Sequence, residues 1–179
     1  MMRSAVLAVT DRGFTKRMIT DTRAGRALVT RFVAGSELSD AVDVAKTLNH
    51  HGLLVSLDYL GEHITDITEA DRAVEAYVAC ARAIAAEGLD ANISIKLTQL
   101  GMGLDDDVAA GHLDTIATAA AEAATTVTVD MEESTHTAVT IDLYEDAQRR
   151  HGNLGIAIQA YLRRSPSDIE RLGTLGGHI

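Results

Sequence analysis

The chain has 179 residues, of which 46% are hydrophobic and 23% are charged, a composition typical of one folded domain and not of a disordered segment. Its formal net charge of −10 argues against a nucleic-acid partner, because binding to a polyanion needs clustered basic residues and the sequence has none. The single cysteine excludes an internal disulfide, and no stretch is long and apolar enough to span a membrane.

The N-terminal residues contain a short apolar run that reaches Asp11 almost at once. This run is too short for the hydrophobic part of a secretion signal. We therefore expect a cytoplasmic protein, with peripheral contact at the inner face of the membrane as a further option. The lone thiol, Cys80, lies in an apolar stretch and is expected to be a buried structural residue.

Apolar segments rich in β-branched residues alternate along the chain with longer segments of helical periodicity. The strand candidates are residues 26–33, 53–60, 92–100, 126–131 and 155–162. The helix candidates are residues 38–51, 69–87, 106–124 and 137–151. This alternation predicts βαβ units and a parallel sheet. We interpret residues 1–179 as a single domain, with 1–25 as a helical lead-in and 26–179 as part of a barrel.

Signals for helix ends agree with these segments. Thr68, with Asp71 three residues later, resembles a capping box. Ser165 and Pro166 predict the N-cap and the first position of a last short helix. Glycines, which take the left-handed conformation without steric cost, follow three of the helix candidates, at Gly52, Gly88 and Gly152.

A parallel sheet of this kind is either an open doubly wound sheet or a barrel. An open nucleotide-binding sheet calls for a glycine-rich phosphate-binding turn after its first strand, and the sequence has no such motif there. Polar and apolar residues instead alternate within the strands. The polar positions are Ser56, Asp58, Ser94, Lys96, Thr98, Thr128, Asp130, Gln159 and Tyr161. Polar residues at the carboxyl ends of strands belong at the mouth of a barrel, so the sequence predicts an α/β fold of the (β/α)8 TIM-barrel type.

The number of strands does not complete such a barrel, which has eight strands and about 250 residues. Residues 175–179 resemble the glycine loop and the first residues of a sixth strand. We therefore expect only about the first five βα units of a barrel, with open sheet edges through which the chain self-associates. The alternative is a complete smaller fold with a frayed C-terminus.

Polar residues at the predicted mouth suggest a binding site. Lys96 and Asp130 lie on neighbouring strands at comparable depth, so their side chains should meet. A buried lysine is costly unless it is paired, and the pair either fills a polar barrel centre or forms the charged floor of a substrate pocket. Gln159 offers donors and an acceptor that suit the edge of a heteroaromatic ring. Glu62 adds a carboxylate near the rim, with an exposed loop acid as its other interpretation.

Four segments resemble, in this order, the corresponding strands of bacterial proline dehydrogenases. They are residues 57–62 (LDYLGE), 94–101 (SIKLTQLG), 129–134 (VDMEES) and 159–164 (QAYLRR). Residues 31–35 (RFVAG) are similar to the first strand of that family. The resemblance implies a distorted (β/α)8 barrel that binds FAD and oxidises L-proline to 1-pyrroline-5-carboxylate in proline catabolism, with a quinone as electron acceptor.

The resemblance also implies roles for individual residues. Lys96 would bind the carboxylate of L-proline and act with Asp130 as a catalytic residue, and Glu62 would be a further substrate-binding residue. Gln159 would form a hydrogen bond with the edge of the isoalloxazine ring. The cofactor-binding residues would be Asp130, Gln159, Thr128 and Tyr161. The resemblance implies no metal.

Two motifs of the family are absent from the sequence. One is an Arg-x-x-Lys-Gly-Ala-Tyr segment that holds the flavin, and the other is a Tyr-x-x-Arg-Arg-x-x-Glu helix that clamps the carboxylate of proline. The pair Arg163 and Arg164 follows the fifth strand and does not correspond to that clamp. Because a bidentate arginine pair binds a carboxylate strongly, we expect the chain to be incomplete and inactive alone.

Two other functions stay open on the residues alone. A lysine at a strand end beside an aspartate also suits a Schiff-base aldolase, in which a lysine of lowered pKa attacks a carbonyl group, and Lys96 would be that lysine. The second is a non-catalytic fragment or assembly module, whose main property would be its exposed sheet edge.

Overall fold

The structure, a computed structural model, describes residues 33–61 and 64–179. The first described helix is α1, Leu38–His50, and three strand–helix pairs follow it. They are β1 (Val55–Asp58) with α2 (Ile67–Glu87), β2 (Ala91–Ile95) with α3 (Asp106–Glu122), and β3 (Val127–Val129) with α4 (Thr137–His151). Strand β4 (Leu154–Ile156) and helix α5 (Ser165–Leu172) come last, and a 3₁₀ helix, Leu97–Leu100, lies between β2 and α3.

The chain divides into two compact units, residues 1–44 and residues 45–179. Helix α1 begins in the first unit and ends in the second. The strands and helices from β1 to α5 belong to the second unit. The predicted lead-in, residues 1–25, and nearly all of the predicted first strand, 26–33, lie outside the described residues. Only Val33 of that strand is described, and it is not part of a strand.

The described strands form one parallel sheet in the order β1-β2-β3-β4. Neighbours in sequence are therefore neighbours in the sheet, as the alternation of strands and helices predicts. The register pairs Asp58 with Ser94, Ser94 with Thr128, and Thr128 with Gly155. These residues form one row across the sheet. The side chains two positions further along the chain lie on the same face, closer to the carboxyl ends of the strands.

One face of the sheet is apolar and carries the helices. Helix α2 contacts β2, α3 contacts β3, and α4 contacts β4, while α2 also packs on α3 and α3 on α4. The side chains of Ile93, Ile95, Val127 and Val129 beneath them are fully buried. Asn92, Ser94 and Thr128 on the other face are only half-buried. Helices on one face of a parallel sheet indicate a (β/α)8-type barrel and not a doubly wound sheet, which confirms the predicted fold class.

All four described strands are shorter than predicted, and β2 and β4 stop furthest before their predicted ends. The segment 92–100 was expected to be a strand throughout, but Leu97–Leu100 form a 3₁₀ helix because the backbone N–H of Thr98 donates to the carboxylate of Glu132 and not to a neighbouring strand. Likewise, β4 ends at Ile156, although the N–H of Ala157 still donates to the carbonyl oxygen of Val129, and a turn begins at Ala160. The shorter strands place the residues that follow them in loops at the carboxyl edge.

The helix ends confirm some of the predicted caps and correct others. The three glycines after α1, α2 and α4 have positive φ angles, as predicted. The N-cap of α2 is Asp66, whose side chain accepts from the N–H of Thr68 at 2.9 Å, so the predicted Thr68 capping box is wrong. The N-cap of α5 is Arg164 and not Ser165, because the Ser165 hydroxyl donates to the carbonyl of Gln159 at 2.6 Å.

The residues after α5 return to the sheet beside β4. The N–H of Ile156 donates to the carbonyl oxygen of His178 at 3.0 Å, on the side of β4 that does not face β3. Gly177 has a φ of 85°, and a Cβ atom there would lie 2.3 Å from the carbonyl oxygen of Leu154, so only glycine allows this approach. The contact is the one that the first residues of a further parallel strand would make.

Cys80 lies on α2 with 8% of its surface exposed, which confirms the predicted buried thiol. Burial, together with the nearby charge of Asp58, raises the pKa of this thiol, so Cys80 is a poor nucleophile. In the described part of the chain, no helix combines the length and the hydropathy needed to cross a membrane.

Candidate functional site

An open cleft of about 430 Å³ lies at the carboxyl ends of β2, β3 and β4, a volume within the usual range of small-molecule sites. It is lined by Lys96, Asp130, Met131, Glu132, Glu133, Ala157, Ile158, Gln159 and Tyr161. This is the edge at which barrel enzymes bind their substrates, because loops and strand ends from several βα units converge there.

Lys96 directly follows β2 and lies between carboxylates from both neighbouring strands. Its Nζ atom is 2.9 Å from Oδ2 of Asp58 and 3.3 Å from Oδ2 of Asp130. The structure therefore brings Lys96 and Asp130 together, as their positions in the sequence suggest. It also adds Asp58 as the nearer partner.

The alternation within its strand places Asp58 on the inward face but does not assign it to the site. The signal for it was present, since Asp58 is in register with Ser94 and Lys96 is the next residue on the same face of β2. Parallel strands at this spacing allow a long lysine side chain to reach back towards a carboxylate on the neighbouring strand. The spacing of residues along a strand predicts the face on which a side chain lies, but not the neighbouring strand towards which it extends.

Asp130 is held from two sides. Its backbone N–H donates to the carbonyl oxygen of Ile95 and so continues the ladder between β2 and β3. Its Oδ1 atom accepts from the hydroxyl of Ser94 at 2.9 Å, while Oδ2 faces Lys96. Each carboxylate oxygen therefore has a fixed partner, and the side chain is positioned before any ligand binds.

The charges around Lys96 decide its protonation state. Burial lowers the pKa of Lys96, but the hydrogen bond with Asp58 and the charges of Asp58 and Asp130 outweigh burial, and the pKa is raised overall. The side chain is therefore an ammonium ion at neutral pH. A Schiff-base aldolase needs a lysine of lowered pKa as its nucleophile, so the geometry does not favour that alternative.

Gln159 lies in the loop after β4 and is oriented by backbone groups that follow β3. Its Nε2 atom donates to the carbonyl oxygens of Met131 at 3.2 Å and Glu132 at 3.1 Å. Its Oε1 atom is buried without a hydrogen-bond partner in residues 33–61 and 64–179. An unpaired buried acceptor is costly, and the residue that carries it lines the cleft.

The other predicted site residues are not all brought together. Tyr161 lines the cleft and is 79% exposed. Thr128 does not line it, because it lies one layer deeper, where its hydroxyl accepts from Asn92 at 2.7 Å and contacts Nε2 of His178 at 2.7 Å. Glu62 lies outside the described residues.

The sequence pattern gives Glu132 no role, yet this residue links two loops of the cleft. Its carboxylate accepts from the backbone N–H of Thr98 at 3.0 Å and from the hydroxyl of the same residue. The loop after β2 and the loop after β3 are thereby linked beside Lys96. The available signal was an acidic residue two positions after Asp130, just beyond the end of a strand. Within the described ranges, no group of three or more His, Cys, Asp or Glu side chains is arranged to hold a metal ion.

Sequence comparison matches residues 41–177 to the model of the proline dehydrogenase family. Proline dehydrogenase 1 of Bacillus subtilis subsp. natto is 38% identical over 145 residues, which cover 81% of this chain and 48% of that protein. Proline dehydrogenase 2 of Bacillus subtilis (strain 168) is 27% identical over 173 residues, 97% of this chain and 57% of that protein. The chain thus spans about half the length of the curated relatives it matches.

Solved structures support the same fold. Proline utilization A (PutA) from Bdellovibrio bacteriovorus, inactivated by N-propargylglycine, superposes with a TM-score of 0.78 at 20% identity, over 84% of this chain and 19% of that one. A variant of PutA from Bradyrhizobium japonicum gives a TM-score of 0.69 at 23% identity, over 86% of this chain and 17% of that one. The family match over residues 41–177, together with the identity to the Bacillus relatives, shows that the chain belongs to the proline dehydrogenase family.

Proposed function

We propose that this chain provides part of the active site of a flavin-dependent proline dehydrogenase, which oxidises L-proline to 1-pyrroline-5-carboxylate in proline catabolism. The observation that carries the proposal is the Lys96 ammonium group held between Asp58 and Asp130 at the mouth of the parallel sheet. Membership of the proline dehydrogenase family supports the choice of substrate.

The charges of the cleft suit a zwitterionic amino acid. An ammonium group has three N–H donors, and in the described structure Lys96 uses one for Asp58 and one for Asp130. The third donor is left for the carboxylate of L-proline. The two aspartates attract the positively charged ring nitrogen of the same substrate, so Lys96 and Asp130 together would orient it. The catalytic role of both residues, and the substrate-binding role of Glu62, belong to this proposal.

The residues of the cleft also fit a flavin. The buried Oε1 atom of Gln159 needs a donor, and the N–H at the edge of an isoalloxazine ring is such a group. The exposed ring of Tyr161 offers an apolar surface beside it. We propose Asp130, Gln159, Thr128 and Tyr161 as the residues that hold FAD, with Thr128 acting from the layer below. FAD would supply the two-electron oxidation chemistry, while the chain supplies orientation and electrostatics.

The resemblance to the family further supports a quinone as electron acceptor and a cytoplasmic location with peripheral contact at the membrane. The described sheet has four strands and its cleft is open on one side. We therefore propose that turnover needs a closed barrel with more strands than these four. The alternative is an inert fragment that functions only as an assembly module. This alternative predicts no proline-dependent activity in any protein to which the chain is fused.

The test is a fusion of this chain to the part of Bacillus subtilis Proline dehydrogenase 1 that follows the matched region, assayed for proline-dependent reduction of a redox dye. We expect a yellow protein whose activity is lost in Lys96→Met. The control is Lys46→Met, which removes a lysine of similar length whose ion pair with Glu87 is half exposed. Equal activity in Lys96→Met and Lys46→Met would contradict the assigned site.

A further inference from the structure

Helix α2 carries a tyrosine hydroxyl into the interface between the helix and the sheet. Its buried residues are Ala70, Ala73, Val74, Tyr77, Cys80, Ala81 and Ile84. Tyr77 is fully buried, and it brings the only hydroxyl into this otherwise apolar stripe. Phenylalanine would fill the same space, and burying the hydroxyl costs free energy unless it forms hydrogen bonds.

The hydroxyl of Tyr77 reaches past the end of β1 and lies among three oxygen atoms. They are Oε1 of Gln99 at 2.8 Å, the carbonyl oxygen of Tyr59 at 3.2 Å and Oδ1 of Asp58 at 3.3 Å. The hydroxyl has one proton, and the carboxylate is the strongest acceptor of the three. A rotation of the Gln99 amide by 180° exchanges its oxygen and nitrogen atoms. Gln99 then donates a hydrogen bond to the Tyr77 oxygen, and the Tyr77 hydroxyl donates its proton to Asp58.

The protonation of Tyr77 is consistent with this role. Burial, and after it the charge of Asp58 and the hydrogen bond with Asp58, raise the pKa of the Tyr77 hydroxyl well above its usual value of 10.0. The hydroxyl is therefore a permanent donor over the range in which proteins function.

Gln99 is nearly as buried as Tyr77. It lies in the 3₁₀ helix after β2 with 3% of its surface exposed. A Cβ atom on Gly61 would come within 2.5 Å of the side-chain amide of Gln99, so the chain leaves only the space of a glycine beside this amide. The amide is thus held against the Tyr77 hydroxyl from the opposite side.

These contacts end at Lys96. Oδ1 of Asp58 faces Tyr77, and Oδ2 of the same carboxylate accepts from Nζ of Lys96 at 2.9 Å. We infer that Tyr77 and Gln99 are positioning residues that fix the Asp58 carboxylate and, through it, the ammonium group of Lys96. Neither residue lines the cleft, so both act at a distance from any ligand. The consequence for L-proline rests on the proposed function, whereas the positioning of Lys96 does not.

The first experiment measures Lys96 in the fusion protein without substrate. The hydrogen-exchange rate of the Lys96 ammonium group is followed by ¹⁵N NMR at the Nζ atom. We expect Tyr77→Phe to raise this rate about fivefold, the factor that corresponds to the loss of one hydrogen bond of ~1 kcal/mol. Gln99→Leu removes the amide from the other side and should raise the rate in the same direction.

The matched control is Tyr144→Phe. Tyr144 is also fully buried, on α4, but its hydroxyl has no hydrogen-bond partner among the residues that the structure describes. It should leave the exchange of Lys96 unchanged, and the thermal midpoint of each variant reports whether it is folded. An unchanged exchange rate in folded Tyr77→Phe, or in folded Gln99→Leu where the first variant does not fold, overturns the inference.

A second measurement uses the fusion protein and L-proline. We expect Tyr77→Phe to raise the KM for L-proline by about fivefold with a smaller change in kcat, since Lys96 is displaced but present. A fusion protein without any activity would count against the proposed function alone, because the NMR measurement needs no turnover. An active fusion in which Tyr77→Phe and Tyr144→Phe have the same KM would count against the positioning role alone.

Discussion

The ammonium group of Lys96 is 2.9 Å from the carboxylate of Asp58, on the strand that precedes its own in the sheet. This pair crosses the β1–β2 boundary at the same edge at which Asp130 approaches from β3. One cation between two carboxylates gives these three side chains a net negative charge. This charge favours a ligand that carries a positive charge close to its own carboxylate. A cyclic amino acid such as L-proline has that arrangement.

The first prediction concerns turnover. In the fusion protein, Lys96→Met and Asp130→Ala should each lower kcat/KM for L-proline by about 30- to 1,000-fold, which corresponds to ~2–4 kcal/mol of lost electrostatic stabilisation. Folding should be affected far less, because both side chains lie at the partly exposed mouth. The measurement is steady-state dye reduction together with a thermal melt of each variant. Kinetics similar to those of the unmodified protein in both variants would refute the site.

The second prediction concerns pH. The pKa of Lys96 in the folded chain is raised above its usual value of 10.5, so the pairing stabilises the fold fully at pH values below that point. The contribution is lost as the pH rises through the folded pKa, because the neutral amine no longer attracts Asp58 and Asp130. The free energy of unfolding in urea should therefore fall more steeply above about pH 10.5 in the unmodified chain than in Lys96→Met. Parallel pH profiles for the two proteins would show that the pair contributes nothing to stability.

The third prediction concerns the link between loops. Glu132→Gln keeps the size of the side chain but replaces one acceptor oxygen with a donor that faces Thr98. We expect the free energy of unfolding to fall by about 1–3 kcal/mol, the cost of leaving a partly buried donor or acceptor unpaired. The matched control is Glu133→Gln, the exposed neighbour in the same loop, which should change stability by less than about 0.5 kcal/mol. Equal stability of the two variants would show that the Thr98 contact is dispensable.

The sequence was sufficient to predict the order of elements, the parallel sheet and the polar face, because all three depend on local periodicity. It also predicted the meeting of Lys96 and Asp130, since neighbouring strands place equivalent positions side by side. It did not predict the 3₁₀ helix at Leu97–Leu100, whose apolar and β-branched residues suit a strand. That helix depends on Glu132, a partner 34 positions further along the chain. Contacts at such a separation leave no local signal.

The same limit applies to the depth of side chains. The alternation of polar and apolar residues places Thr128 and Asp130 on one face, and the resemblance to the family implies a flavin contact for both. In the structure the Thr128 hydroxyl is engaged with Asn92 and His178, one layer below the cleft. Its contact with FAD stays a prediction. Absorbance of bound flavin in Thr128→Val, compared with Gln159→Leu, would test it.

The last prediction is that the 179-residue chain alone does not oxidise proline. Four described strands supply one wall of the cleft, and a flavin held on that wall would stay exposed to water, which weakens each hydrogen bond that holds it. Strand β4 is an outer strand of the described sheet, and His178 is its one backbone partner on that side in the described residues. An edge that is paired at so few positions favours self-association. Gel filtration of the isolated chain, followed by flavin absorbance and proline-dependent dye reduction, measures all three properties. We expect self-associated protein, little bound flavin and no turnover. A yellow, monodisperse monomer that oxidises L-proline would show that one wall of the cleft is enough.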